Sequence, residues 1–406
     1  MSIINSVLYQ DLTQTDYSAM AGPDWPSYDQ FLMHTNVPDF VYKEIDQMLD
    51  NSPFDNSAFC VLPFYGMEYP AKTPCCLLPK NHNINDIRKK MLAGTRPADC
   101  KKCWNLEDNG CKSDRLIKNE TLDFYFNKNL KALFDDCVAG TNHVAHYKID
   151  TSTVCNSTCI TCSSTSSSAW AQLERKNKKT PKKTWSLTTT DVENFVDYKT
   201  AKYLGFRGGE PFLSDTNFFI LEELIKHGNT DCGINFVTNG SSKMTNYQKK
   251  ILSKFSNVNL CFSIDGVGPV FEYLRYPLKW NDLEQNIKYC RENNIMISAS
   301  YTVSNLNVFY HNQTVDWFDQ NNIPYLVNPV YNPTYFRPSA LPSIVKDTIL
   351  QTSEINFLLT THTNSDDVDY ISFRNKIAEQ NAWKKIKMKD YIPEFAELIQ
   401  FDDPVD

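Results

Sequence analysis

Of the residues in this chain, the thirteen cysteines point most directly to chemistry. Three of them lie in VCNSTCITC, residues 154–162, as Cys155-x3-Cys159-x2-Cys162. Three thiolates are one short of the set that closes a structural zinc site or fully ligates an iron–sulfur cluster. A cubane held by three cysteines leaves one iron open, and an open position on a metal binds a second molecule directly. Zinc stays the competing reading of the triplet taken alone.

A second element follows at YLGFRGGEP, residues 203–211. Here an apolar strand runs into Gly208 and Gly209, then Glu210 and Pro211. Without Cβ atoms the two glycines let backbone groups approach a ligand closely, and Glu210 offers a carboxylate to an ammonium group. NFVTNG (235–240) brings Thr238 and Asn239, and LCFSIDG (260–266) brings Ser263 and Asp265. Each of these alone is an ordinary turn or cap. Together they set small polar groups on one rim, suited to a ribose or a carboxylate.

The elements that must position these residues form a repeating pattern. Short apolar runs at 147–151, 203–206, 234–237, 258–264, 296–303 and 325–328 read as strands. Helical candidates near 164–175, 190–199, 217–227, 247–255, 283–293 and 312–321 alternate with them. Strand then helix, repeated six times, implies parallel strands with crossovers. The expected fold is α/β, a partial (β/α)6 barrel or an open sheet, whose functional groups collect at the strand ends.

Taken together, the triplet, the Gly-Gly-Glu-Pro turn and the two polar strand ends resemble the radical S-adenosylmethionine (SAM) superfamily. That resemblance implies a SAM-binding four-iron, four-sulfur cluster on Cys155, Cys159 and Cys162. It also implies a Gly-Gly-Glu turn that holds the SAM amino group, and reductive cleavage of SAM to a 5′-deoxyadenosyl radical. One position departs from the pattern: Thr161 stands before the third cysteine, where an aromatic residue usually packs on adenine, so the adenine contacts must come from elsewhere.

An earlier cysteine group comprises Cys60, Cys75, Cys76, Cys100 and Cys103, with Cys111 as a spare. With the helix-like stretch 87–94 it resembles an amino-terminal twitch (SPASM-like) module. The resemblance implies an auxiliary four-iron cluster on Cys60, one of Cys75 and Cys76, Cys100 and Cys103. From spacing alone, zinc fits this group almost as well. A strand would turn one of the adjacent pair inward and its neighbour outward, without saying which. The isolated cysteines 137, 232, 261 and 290 read as small core hydrophobes.

The resulting organisation is a lead-in at 1–50 with one amphipathic helix at 38–49, then a twitch-like module at 51–120. A helical connector follows at 121–143, the partial barrel at 144–340, and a helical extension at 341–406 with an acidic tail. His143 and His146 read as surface or cap residues. Residues 271–280 read as packing over the barrel mouth, with Arg275 able to clamp a carboxylate.

Composition bounds the rest. Hydrophobic residues at 41% supply a packed core, and the net charge of -7 argues against a general nucleic-acid binder. The basic run at 175–183 reads as a solvated loop or as a contact for an acidic substrate. The start of the chain lacks a signal peptide's apolar run of about 7–15 residues, and no stretch approaches the roughly 18 apolar residues of a membrane span. A cytoplasmic, reducing setting is expected, where clustered cysteines serve metals better than disulfides. The expected partners are SAM, a reductant such as flavodoxin or ferredoxin, and a peptide or small-molecule substrate, a peptide or protein side chain foremost. Other readings are a nucleotide, sugar or small-metabolite substrate, a non-catalytic iron–sulfur carrier, or a zinc-binding protein.

Overall fold

The computed structural model describes residues 57–402 apart from 76, 80, 109–112, 331, 350–351 and 361–366. The expected helix at 38–49, together with Cys76, Cys111 and the acidic tail beyond 402, lies outside the described residues.

Seven strands form one sheet. They are β1 (Gly66–Tyr69), β2 (His146–Asp150), β3 (Tyr203–Arg207), β4 (Gly233–Thr238), β5 (Val258–Ser263), β6 (Met296–Val303) and β7 (Tyr325–Pro329). Each pairs in parallel with the next, and their order in the sheet is their order in the chain. An order that never reverses has no switch point. Every right-handed crossover then returns on the same side, so the helices cover one face and the sheet curls into an open barrel. Six strands fall where the hydrophobic runs put them. The seventh, β1, comes from the cysteine-rich stretch and forms an edge beside β2.

Side chains alternate between the two faces of each strand, and here the faces differ sharply in polarity. Ile149, Phe206, Phe236, Phe262 and Tyr301 enter the large core that the helices cover. Fully burying one such side chain stabilises the fold by roughly 1.5–3 kcal/mol. Many of the alternate positions are polar. Asn259 Nδ2 donates to Asn235 Oδ1 at 2.7 Å and to Ser298 Oγ at 3.0 Å, tying β4, β5 and β6 together. On the β1 side, Glu68 lies 3.4 Å from both Lys148 and Arg207, and Arg207 Nε lies 3.1 Å from Asp150. Buried charges persist only when paired in this way.

Two helical expectations are corrected by side-chain capping. The helix expected at 190–199 is one turn, Thr189–Val192, opened by a Thr188/Asp191 capping box. Beyond it the Asp197 N–H goes to the Tyr147 hydroxyl, and the Asp197 carboxylate takes the Thr200 hydroxyl; such local bonds compete with helix continuation. The connector is two helices, Asp114–Phe126 and Leu130–Ala139, broken at Asn127 (φ 48°) and restarted by an Asn129 cap on Ala132. The extension is helical as expected, with its longest element at Asp367–Lys384.

Candidate active site

The cysteine triplet lies on the loop that leaves β2, with all three cysteines half-buried. The Ser157 hydroxyl sits between two of the thiols, 3.2 Å from Cys155 Sγ and 3.3 Å from Cys159 Sγ. Bonds from several elements fix the loop. Ser168 Oγ both accepts from Cys155 N and donates to Cys155 O, at 3.1 Å each. Ser167 donates to Ser157 O at 2.7 Å, and Trp170 Nε1 donates to Cys159 O at 2.9 Å. On the opposite side, Thr158 N and Ile160 N donate to the carbonyls of Tyr276 and Leu274. The 271–280 segment, expected over the barrel mouth, therefore backs the cysteine loop.

The glycine turn after β3 packs on the same loop. Gly209 N donates to Ser152 O at 2.8 Å, and Glu210 N donates to Val154 O at 2.7 Å. A Cβ on Gly208 would stand 2.5 Å from Ser152 O, and one on Gly209 would stand 2.2 Å from Val154 O. Gly208 also has φ +108°, a conformation side chains rarely adopt. Here the missing Cβ atoms make room for the cysteine loop's own backbone, a use additional to the ligand approach expected from sequence.

Glu210 is 1% exposed. Oε1 accepts from Thr238 Oγ1 at 2.7 Å and Phe212 N at 3.1 Å, and Oε2 accepts from Asn239 N at 2.7 Å. Burial pushes its pKa up, and these bonds oppose the shift. A carboxylate has about four acceptor positions, so Oε2 keeps capacity for one further donor. The Asn239 amide bonds Asn156 Oδ1 at 2.8 Å, linking the end of β4 to the cysteine loop. Pro211 and Ser263 are buried at the ends of β3 and β5. The Asp265 carboxylate is engaged by the protein, with Arg275 Nε at 2.8 Å and Thr302 N at 3.0 Å. Arg275 in turn points Nη1 at Cys159 Sγ, 3.9 Å away.

Burial raises the Cys155 thiol, with the Cys159 charge adding to it, and pushes Cys162 up to about 12, with Cys159 and Cys155 adding. Two thiols held protonated by burial, sharing a loop with Cys159 and the arginine behind it, fit a cationic metal cluster that takes the protons' place. Among the described residues, no three His, Cys, Asp or Glu side chains converge tightly enough for a single metal ion.

A second cysteine group lines one cavity, formed by Cys60, Cys75, Cys100 and Cys103 with apolar walls from Leu62 and Met91. Burial raises all the thiols resolved there, with Cys100 at about 11 and Cys103 at about 12. Arg115, 4% exposed, lines the same cavity and holds Glu107 through Nε at 2.8 Å. It donates to Phe59 O at 2.6 Å and lies 4.9 Å over the Trp104 ring.

Several site residues were not foreseen. Ser157 lay inside the motif but has no fixed role at that spacing. Trp170 falls on a predicted helix, where an indole reads as core. His146, read as a surface or cap residue, is 1% exposed on the inner face, with its ring stacked 4.5 Å from Tyr203; the period-2 alternation of β2 could have shown it.

No protein-family profile matches the chain, and no curated protein sequence does. Among solved structures it is similar to native anSMEcpe with bound AdoMet, at 18% identity and TM-score 0.35, over 46% of this chain and 53% of that one. It is also similar to SuiB of Streptococcus suis bound to S-adenosylmethionine, at 13% identity and TM-score 0.37, over 61% of this chain and 51% of that one. SuiB bound to the precursor peptide SuiA matches at 12% identity and TM-score 0.36, over 78% and 66%. The chain thus spans about half the length of the first two. Among the described residues no helix is long and apolar enough to cross a membrane. The resemblance to the radical SAM superfamily is carried by the chain's own cysteine triplet, glycine turn and polar strand ends.

Proposed function

We propose that the chain is a radical SAM enzyme. In this reading Cys155, Cys159 and Cys162 hold a four-iron, four-sulfur cluster, and the 208–211 turn binds the amino-acid end of SAM. The observation that carries it is the backbone pairing of the two motifs, Gly209 to Ser152 and Glu210 to Val154. It sets a buried carboxylate beside three half-buried cysteines. When bound, the cluster and SAM supply an electron and a cleavable carbon–sulfur bond, and hence a 5′-deoxyadenosyl radical that abstracts hydrogen from substrate.

The protein's part is placement and shielding. Glu210 accepts an ammonium proton at Oε2 while Asn239 and Thr238 hold its rotamer. Asn156, bonded to Asn239, keeps the cysteine loop in register with that carboxylate. Cys60, Cys75, Cys100 and Cys103 would hold an auxiliary four-iron cluster, a reading supported by the cavity they share. Resemblance to the twitch-bearing proteins makes a peptide or protein side chain the substrate we favour, with flavodoxin or ferredoxin as reductant.

The test uses protein purified without oxygen and reconstituted with iron and sulfide. SAM and a strong reductant are added, and 5′-deoxyadenosine is quantified. The expected result is its formation, abolished in Cys159→Ala. Full cleavage by that variant would sink the assignment. Clusters whose spectra do not respond to SAM would favour an electron carrier instead, and zinc without sulfide would favour a structural metal protein.

A further inference from the structure

The Asp367–Lys384 helix of the C-terminal extension ends against the cysteine loop. Gln380 Nε2 donates to Ile160 O at 3.1 Å, a carbonyl lying between Cys159 and Cys162. One turn later the Lys384 ammonium lies 4.8 Å from the centre of the Trp170 ring. Trp170 is itself bonded to Cys159 O. Lys384 Nζ also donates to Gln380 Oε1 at 3.3 Å. Gln380 is 1% exposed and Lys384 6%.

A lysine this deep requires an anion, because a buried ammonium without one is expensive. Among the described residues, Lys384 makes no ion pair with a carboxylate. Its helix instead meets the loop that carries Cys159 and Cys162, through the Gln380 bond to Ile160 O and the Trp170 ring bonded to Cys159 O. Burial brings the ammonium down to about 7. Packing alone would not call for it, since a methionine would cover the Trp170 face at no charge cost. The charge therefore has a use only when the cysteines carry theirs.

We infer that Lys384 is a positioning residue of the cluster site, whose ammonium offsets the thiolate charge and makes the cluster easier to reduce. The inference rests on the radical SAM reading above. Adding an electron increases the negative charge at the cluster, so a nearby buried cation favours the reduced form.

The experiment is an EPR-monitored redox titration of the reconstituted full-length protein, with iron and sulfide counted beside it. Wild type is measured first; if it takes up no cluster, the radical SAM reading fails before any variant is examined. Lys384→Met and Lys384→Gln are expected to shift the reduction equilibrium about tenfold towards the oxidised form, about 59 mV lower for one electron. Lys384→Arg keeps the charge and is expected to keep the wild-type potential. Unchanged potentials in loaded Met or Gln variants would overturn the inference. If those two fold by circular dichroism but fail to load, loading of the Arg variant supports a charge requirement. Equal failure of all three would make the role one of shape and overturn it.

Discussion

Glu210 and Asn239, from the ends of neighbouring strands β3 and β4, meet carboxylate oxygen to backbone amide at 2.7 Å. The contact couples the glycine turn to the rim that follows β4, and Thr238 reinforces it at the other oxygen. Removing the carboxylate strands these donors and Phe212 N in a buried site. Glu210→Ala is expected to lose about 1–3 kcal/mol of stability and most SAM binding. Denaturant titration and equilibrium dialysis read the two effects; unchanged dialysis would remove Glu210 from the cofactor site.

Gly209→Ala forces a Cβ to within 2.2 Å of Val154 O, a backbone atom that side-chain rotation cannot relieve. The expected cost is about 1–3 kcal/mol, together with loss of iron at the triplet because the cysteine loop moves. A thermal melt and an iron count after reconstitution check both. Gly94→Ala meets nothing within 4 Å and should leave the iron content intact, with only the strain of its positive φ.

Arg275 and Asp265 form a buried ion pair at 2.8 Å behind Cys159. Arg275→Met leaves the Asp265 carboxylate held by the Thr302 N–H, and breaking such a pair costs about 3–5 kcal/mol. Denaturation of the apo-protein, which isolates stability from cluster loading, should show that loss. A change under about 1 kcal/mol, the range of an exposed pair, would mean that solvent reaches the site.

Cys75 lines the four-cysteine cavity beside Cys60, Cys100 and Cys103. Cys75→Ala is therefore expected to remove about one cluster's worth, four irons per chain, while 5′-deoxyadenosine formation from the triplet survives without substrate. Cys76→Ala should leave the count unchanged. The reverse pattern would exchange the ligand assignment of the two neighbours.

Much of this arrangement was legible before any coordinates. Six strands, the cysteine triplet and the polar strand ends announce themselves because each is a local pattern with a fixed spacing. β1 did not, since GMEY is four residues with a charge in the middle, and only pairing with β2 makes it a strand. The 190–199 helix failed because Asp197 and Tyr147 bond across a separation no local pattern reports. Gln380 is 220 residues from the carbonyl it holds, and nothing in an eighteen-residue helix says that its last turn abuts the cysteine loop.

The seven-stranded sheet bears on how the chain folds. Because β1 hydrogen-bonds along β2 and Glu68 neutralises Lys148 on the next strand, the cysteine-rich stretch is joined to the barrel by main-chain ladder as well as by peptide linkage. Excising it would uncover a parallel strand edge and take the Glu68 carboxylate away from a buried ammonium. The two regions should consequently melt in one cooperative transition, and damage to the four-cysteine cavity should be felt as lost stability in the barrel that holds the triplet.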